Sequence, residues 1–444
     1  MSQSSRPKRY FIETFGCQMN VNDSEKVAGM LQARGYEPAG SARQADAVFI
    51  NTCAVREKAA QKLSHAVGRL KRLRKSNPEL KIAVGGCVAQ LHGSEILERS
   101  PEIDLMVGTH NLAAVPELLE RAWTGESGLV ELDRKADRFA VPDEHVAHGN
   151  PVRAYVTAME GCNHVCSFCV VPRTRGPEVC RPAAAIVAEV EAVVARGFPE
   201  VMLLGQTVNA YQHAGVDFSG LLERVAAVPG LRRLRFTTSH PEHVDRHLAE
   251  AWIHLDKLCP YLHLPVQSGS DRLLASMRRG YTSAEYVEKV ELLRAARPDL
   301  ALTSDVICGY PGETEADFEA TLRLVEHCRF EGLFVFAYSA RPGTTALRLE
   351  DDVPEAEKLR RVNVLNSLQQ RAQEARNQSR VGRLERVLVE GWDEDKGRLF
   401  GRSEHFRLVH FPGGPDLRGR FCDVRVTVAG PNALVGELVS VAPR

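Results

Sequence analysis

The sequence lacks any excess of charge. Its 57 Lys and Arg residues balance 57 Asp and Glu, and the pI is about 7.2. A global positive field of the kind that announces a nucleic-acid partner is therefore excluded, and any such binding must rest on local patches. No apolar run is long enough to cross a bilayer, so no membrane partner is expected. The polar opening from Met1 to Arg9 runs straight into a short strand-like segment with no apolar signal core, so no secretion signal is expected and a cytoplasmic location is. A complete cysteine pairing is also missing, because the count of 11 is odd. In a cytosolic chain such thiols point to metal or redox work rather than to disulfides. With 44% hydrophobic and 26% charged residues, wholesale disorder is excluded. A length of 444 residues suggests roughly three domains.

The cysteines are not scattered. Cys162, Cys166 and Cys169 stand at C-x3-C-x2-C spacing, just after the alternating run from Ala154 to Met159. A tight loop of this kind can point three thiolates at one iron–sulfur cluster. A four-iron cubane is usually held by four cysteines, so three ligands suggest one iron left free for a small molecule. An open position is what separates a catalytic metal site from a closed structural one. Cys180, a short way downstream, keeps a second reading open: a structural zinc site on Cys162, Cys166, Cys169 and Cys180.

Three earlier segments share one layout, an apolar run that ends in a cysteine. They run from Tyr10 to Cys17, from Ala47 to Cys53 and from Lys81 to Cys87, with helical patterns from Asp23 to Arg34 and from Arg56 to Lys75 between them. This predicts a βαβαβ unit, hence a parallel sheet with right-handed crossovers. The carboxyl ends of parallel strands lie on one edge, so Cys17, Cys53 and Cys87 are expected to converge as a shared metal site. Three unrelated core thiols are the bland reading. The basic run from Lys71 to Lys75 reads as the solvated end of a helix. The segment from Gly125 to Asn150, rich in charge and turn residues, reads as a linker.

From about Arg153 to Glu350, strand-like runs alternate with amphipathic helices in six βα units, consistent with a complete or partial parallel barrel. Function in such a barrel sits at the carboxyl ends of its strands, where the cysteine loop also falls. Other strand ends there carry Gly205 to Asn209, Pro265 to Ser270 and Gly309 to Thr314. Glycines let backbone amides approach a ligand, while Gln and Asn can fix its amino and carboxylate groups. Gln206, Asn209, Gln267 and Gly309 are the candidates; turns that merely close βα connections are the alternative. Beyond Gly382 the period changes to two, and about five short strands predict a small closed β-barrel of a kind that often binds oligonucleotides. Arg383, Arg386, Arg398, Arg402, Arg407, Arg418, Arg420 and Arg425 sit among Phe400, His405, Phe406 and Phe411. Arginine mixed with aromatics suits phosphate contact and base stacking.

The cysteine loop, with Phe168 before its last cysteine, resembles that of the radical S-adenosylmethionine (SAM) superfamily. The segments Glu160 to Pro172, Leu204 to Tyr211, His263 to Ser270, Gly309 to Thr314 and Tyr338 to Thr344 are similar to signatures of its methylthiotransferase branch, and most of all to the MiaB-type tRNA methylthiotransferases. Cys180 departs from the small residue usual before Arg181-Pro182, and Thr207 stands where asparagine is expected. The resemblance implies an α/β architecture of three parts. These are an N-terminal parallel-sheet (βα) domain over 1–145, a central partial (βα)6 radical-SAM barrel over 146–380, and a small OB-like TRAM β-barrel over 381–444. It implies two 4Fe-4S clusters, one on Cys162, Cys166 and Cys169 with exchangeable SAM, and an auxiliary one on Cys17, Cys53 and Cys87. Gln206, Asn209, Gln267 and Gly309 are the implied SAM contacts.

The implied reaction is methylthiolation of carbon 2 of N6-isopentenyladenosine next to the tRNA anticodon, with no side-chain acid or base. An aryl C–H has no useful acidity, so a cofactor must carry the hydrogen-atom abstraction. Partners implied are tRNA, SAM and an electron donor such as flavodoxin or ferredoxin, with a monomeric chain. Methylthiolation of threonylcarbamoyl-adenosine in tRNA, methylthiolation of a ribosomal-protein aspartate, and a zinc-stabilised non-catalytic RNA-binding protein stand as alternatives.

Overall fold

The computed structural model describes residues 6–54, 57–134, 139, 141 and 146–443. Parts of the linker read between 125 and 150, and the helix start read at Arg56, fall outside the described residues. The chain divides into two compact units. One holds Met1–Gly149, Met159–His164 and Cys169–Arg181; the other holds Asn150–Ala158, Val165–Phe168 and Pro182–Arg444.

In the first unit, β1 (Arg9–Phe15), β2 (Glu37–Pro38), β3 (Ala47–Thr52), β4 (Lys81–Gly86), β5 (Leu105–Val107) and β6 (Leu129–Glu131) form one sheet among the described residues. Its order is β2-β1-β3-β4-β5-β6, and every pair is parallel. The four crossover helices are α1 (Gln18–Ala33), α2 (Glu57–Arg74), α3 (Cys87–Arg99) and α4 (Val115–Trp123). Strand alternation sorts the side chains between two cores. Ala47, Phe49, Ala83, Leu105 and Val107 pack with Val27, Leu31, Val115 and Leu119 of α1 and α4. Val48, Ile50, Ile82, Val84 and Met106 pack on the other face with Leu63, Val67, Leu70 and Val88 of α2 and α3. A sheet covered on both faces must have strands apolar throughout, which is how β3 and β4 read. The βαβαβ expectation is met. The sheet extends beyond it by β2, β5 and β6, which are too short for a periodic signal.

Past β7 (Arg153–Thr157), which belongs to the second unit, β8 (Met159–Glu160) pairs antiparallel with β9 (Val179–Cys180), with the one-turn helix α5 (Val171–Thr174) between them.

The second unit continues with α6 (Ala183–Ala195), β10 (Glu200–Leu204), the short pair β11 (Gln212–His213) and β12 (Val216–Asp217), α7 (Phe218–Ala226), β13 (Arg233–Thr237), α8 (Arg246–His254) and β14 (Tyr261–His263). Then come α9 (Asp271–Ser276), α10 (Ser283–Ala296), β15 (Ala301–Cys308), α11 (Glu315–Cys328), β16 (Gly332–Ala337) and α12 (Glu355–Gln378). Parallel pairing joins β7-β10-β13 and β14-β15-β16. Leu234 N–H donates to Lys257 O at 2.7 Å and Cys259 N–H to Leu234 O at 3.0 Å, which links the two trios at β13 and β14. No pairing of β7 with β16 occurs among the described residues, so the expected six-stranded barrel is a partial one. Side chains on its concave face alternate with those under the helices.

The tail is a closed five-stranded barrel among the described residues, β17 (Leu384–Asp393), β18 (Arg398–Ser403), β19 (Leu408–Phe411), β20 (Phe421–Ala429) and β21 (Leu434–Val441). Val387, Val389, Leu399, Val409, Phe411, Val424 and Leu434 fill it. Phe406 has φ 67° in the β18–β19 turn, two residues before β19 begins.

That turn docks the barrel onto the amino ends of the central strands. The Phe406 ring lies 4.8 Å from the guanidinium carbons of both Arg153 and Arg235, 4.7 Å from that of Arg402, and 5.0 Å from the Tyr261 ring. Arg235 donates to the carbonyls of Glu404 and Ser403, and Arg233 to those of Arg402 and Arg386. Beneath them Glu200 is fully buried and pairs with Arg153, and with Arg235 at 3.2 Å. Part of the arginine-and-aromatic set expected to face RNA is thus consumed inside the fold. Arg407 pairs with Glu331, Arg420 donates to Ala442 O, Arg425 to Gly382 O, and Phe411 is core. Arg383, Arg386, Arg418 and Arg425 stay exposed.

Candidate active site

The three strand-end cysteines of the first unit come together. Cys17 stands at the start of α1 and Cys87 opens α3, while Cys53 follows β3. The Cys17 thiol is pulled down to about 6, first by its hydrogen bond with Cys53 and further by the Asn20 backbone and the Arg175 charge. Cys87 is buried, and burial pushes its thiol up, opposed by Arg175, which hydrogen-bonds to it. Gly86 explains part of this closeness. Its φ is 91°, and a β-carbon there would stand 2.3 Å from Asn51 Oδ1 and 2.5 Å from Thr52 O. Asn51 and Asn20 brace the loop ends: Asn20 Nδ2 donates to Asn51 Oδ1 at 3.0 Å and Asn51 Nδ2 to Asn20 O at 2.8 Å.

Two residues that sequence reasoning passed over complete this cluster. Arg175, 2% exposed, forms a short ion pair with the buried Asp23 of α1 and stands 3.8 Å from Glu160. Burial favours its neutral form, but Asp23, Cys87 and Glu160 hold it charged, well above the ordinary value. A buried guanidinium persists only with such partners. The signal in the sequence was the polar run Asn20-Val21-Asn22-Asp23-Ser24-Glu25 directly after Cys17, which a solvated helix start also explains.

The central cysteine loop is shared between the units, with Cys162 and Cys169 in the first and Cys166 in the second. Cys162 N–H donates to Gly176 O at 3.1 Å; Gly161 has φ 84°, and a β-carbon there would meet Pro177 O at 2.0 Å, so the position requires glycine. Val171 N–H points at Cys169 Sγ, 3.5 Å away. From Cys169 the chain runs through α5 to Arg175, whose N–H bonds Val171 O at 2.8 Å. Six residues at helical rise span about 9 Å, so α5 ties the Cys169 end of the loop to the guanidinium beside Cys87. Cys180 pairs with Met159 in the β8–β9 ladder, three residues before Cys162.

In the second unit, Cys166 Sγ accepts a hydrogen bond from Arg279 Nη1 at 3.3 Å. Arg279 is buried and held by Tyr281 OH at 2.9 Å and Pro265 O at 3.0 Å. Next to it Ser167 is locked by Met277 O, Ser276 O and Tyr310 OH, and Phe168 packs on the core of Leu273, Met277, Tyr310 and Tyr338. These contacts give the aromatic before Cys169 a packing role.

The four small-molecule candidates lie past the carboxyl ends of β10, β14 and β15. Gln206 is half-buried after β10. Asn209 clamps the loop after β13: its Nδ2 donates to His240 O at 2.9 Å and its Oδ1 accepts from His240 N–H at 2.8 Å. Gln267, at φ 74°, exchanges backbone bonds with Asp305 and Ile307 of β15. Gly309, at φ 71°, faces Lys358, and its N–H donates to Glu313.

Three family descriptions match the chain: the uncharacterized protein family UPF0004 over residues 9–108, the radical SAM superfamily over 156–325 and the TRAM domain over 378–439. A tRNA-2-methylthio-N(6)-dimethylallyladenosine synthase of Chromobacterium violaceum is 46% identical over 98% of this chain and 99% of its own. One of Geobacter metallireducens is 44% identical over 97% and 98%. The chain belongs to this synthase family. The match to the radical SAM superfamily implies a 4Fe-4S cluster and SAM. Among solved structures, the radical SAM methyltransferase TsrM of Kitasatospora setae aligns at TM-score 0.56, with 14% identity over 77% of each chain. The cobalamin-dependent radical SAM enzyme OxsB aligns at 0.54, with 10% identity over 81% of this chain and 56% of its own. At such identities these two speak for the fold. No described helix is long and apolar enough to cross a membrane.

Proposed function

We propose that this chain methylthiolates carbon 2 of N6-isopentenyladenosine next to the anticodon of tRNA, as its relatives are named for doing. The observation that carries the reading is the convergence of Cys17, Cys53 and Cys87 around one buried guanidinium. A donor set of three thiols, one held near 6 and another facing an arginine, suits an anionic iron–sulfur group and suits disulfide chemistry poorly.

Cys162, Cys166 and Cys169 would hold the SAM-binding 4Fe-4S cluster, and Cys17, Cys53 and Cys87 the auxiliary one. When bound, the first would supply the electron for reductive cleavage of SAM, the second would hold or supply the sulfur, and a second SAM would donate the methyl group. Gln206 and Gln267 would contact SAM, while Asn209 and Gly309 shape the backbone of its loops. The protein's own work is positional. Arg279 and Arg175 steady one thiolate of each set, α5 fixes the spacing on the Cys169 side, and the barrel lumen excludes water from the flipped base.

Cluster-binding, radical and RNA-binding domains over 1–145, 146–380 and 381–444, a cytoplasmic monomer, and reduction by a flavodoxin or ferredoxin complete the reading. The test is anaerobic reconstitution with iron counting, together with mass spectrometry of tRNA nucleosides from a strain lacking the protein. Loss of the methylthio-isopentenyl nucleoside supports the reading. Loss of the threonylcarbamoyl counterpart, or a colourless protein holding only zinc, overturns it.

A further inference from the structure

The concave face of the central sheet leaves two aromatic side chains in the open. Phe334 and Phe336 of β16 are 52% and 41% exposed, although Leu333, Val335 and Ala337 alternate with them on the face covered by α12. A hydrophobic pair kept exposed inside a barrel has no role in the core and is a mark of a binding surface.

The neighbours are given by register. Asp305 lies opposite Phe334 and Ile307 opposite Phe336, while Leu302, Ser304, Val306 and Cys308 point to the buried side. His263 of β14 closes the lower end. Its ring meets Phe334 edge-on at 5.9 Å, its Nε2 is 3.5 Å from Asp305 Oδ2, and its Nδ1 is 3.0 Å from Thr303 Oγ1. Below it lies Tyr261, capped by Phe406. The slot is thus apolar along one strand and offers one carboxylate at mid-height, the pattern of a small-ligand pocket with a single orienting group.

We propose that Phe334, Phe336 and Ile307 form the wall that holds the prenylated base of the substrate RNA, with Asp305 accepting the N6–H of its adenine. This rests on the reading of function above and names the residues that select its substrate. The charge pattern favours this occupant over the competing one. An isopentenyl group is neutral, branched and apolar, and matches two exposed phenyl faces. A threonylcarbamoyl group carries a carboxylate, which the Asp305 carboxylate repels.

The test uses the full-length chain, binding by fluorescence anisotropy without SAM, and anticodon stem-loops bearing isopentenyladenosine or plain adenosine. Phe334→Ala and Phe336→Ala should each weaken the prenylated stem-loop roughly 10-fold, the loss of one stacked aromatic. The plain stem-loop should change less than about two-fold, and Phe336→Leu should recover much of the loss by restoring apolar contact. Asp305→Asn should weaken both RNAs alike, because both carry an N6–H. These side chains are exposed, so thermal midpoints should hold. Equal losses for both RNAs in the Phe variants, or no loss for either, would overturn the proposal. If the reconstituted wild type forms no methylthio product on prenylated tRNA, the functional reading falls, and the binding comparison still decides the wall.

Discussion

Glu200→Gln should remove about 3 kcal/mol of stability. Glu200 is fully buried on β10 beside three arginines: it pairs with Arg153, lies 3.2 Å from Arg235 and 3.9 Å from Arg233. Burial raises its carboxyl, but Arg235, Arg153 and Arg233 outweigh that and hold it at about 2 rather than 4.5. Each pKa unit is worth about 1.4 kcal/mol, which converts to about 3 kcal/mol. The sign follows from the depression. The contribution is complete above pH about 4.5, the unfolded value, and is lost as pH falls from there to about 2. Glutamine keeps the shape but leaves buried guanidiniums short of a counter-charge, a change that typically costs about 3–5 kcal/mol.

Urea unfolding at pH 7 would read this. Trp252, 5.7 Å from Phe236 on β13, and Trp392 of β17 serve as fluorescent reporters within the affected unit. Between pH 4.5 and 2 the variant should also lose about 3 kcal/mol less than the wild type does. Because Arg233 and Arg235 hold the tail barrel by its carbonyls, limited proteolysis after α12 should quicken. A variant within about 0.5 kcal/mol of wild type, with the same acid limb, would refute the claim that this carboxylate anchors the arginine layer.

Cys166→Ala should abolish 5′-deoxyadenosine formation while retaining about half of the iron, measured by iron per chain after reconstitution; undiminished cleavage would remove Cys166 from the ligand set. Cys180→Ser should keep full iron loading, because Cys180 lies outside the C-x3-C-x2-C loop, opposite Met159 in the β8–β9 ladder; a chain short of one cluster's iron would contradict this. Arg279→Leu should lower the midpoint potential of the SAM-binding cluster, since a cationic donor to Cys166 Sγ stabilises the reduced state. Titration followed by electron paramagnetic resonance reads the shift, and an unchanged potential counts against the contact. In cluster-free protein, Cys17 should be alkylated by iodoacetamide with half-maximal rate near pH 6, slowing below it as the thiol protonates. A midpoint near the ordinary thiol value would deny the Cys53 hydrogen bond its role.

Period and spacing alone determined much of this protein. Apolar runs ending at Cys17, Cys53 and Cys87 announced parallel strands, and parallel strands share a carboxyl edge. That argument needs chain direction alone, so it placed three distant thiols together before any coordinates did. The cysteine loop and the switch to period two after Gly382 were legible for the same reason, since local repeats survive folding unchanged. Tertiary structure decided the partners of the charges. Nothing in the order of residues says that Arg175 turns back to Asp23 and Cys87, or that Arg279 reaches Cys166. Nor does it say that Arg407 and Phe406 dock the barrel rather than face solvent. A charged side chain reads the same along the chain whether it ends buried against a counter-charge or in water, and only packing in three dimensions sets its desolvation and its partner.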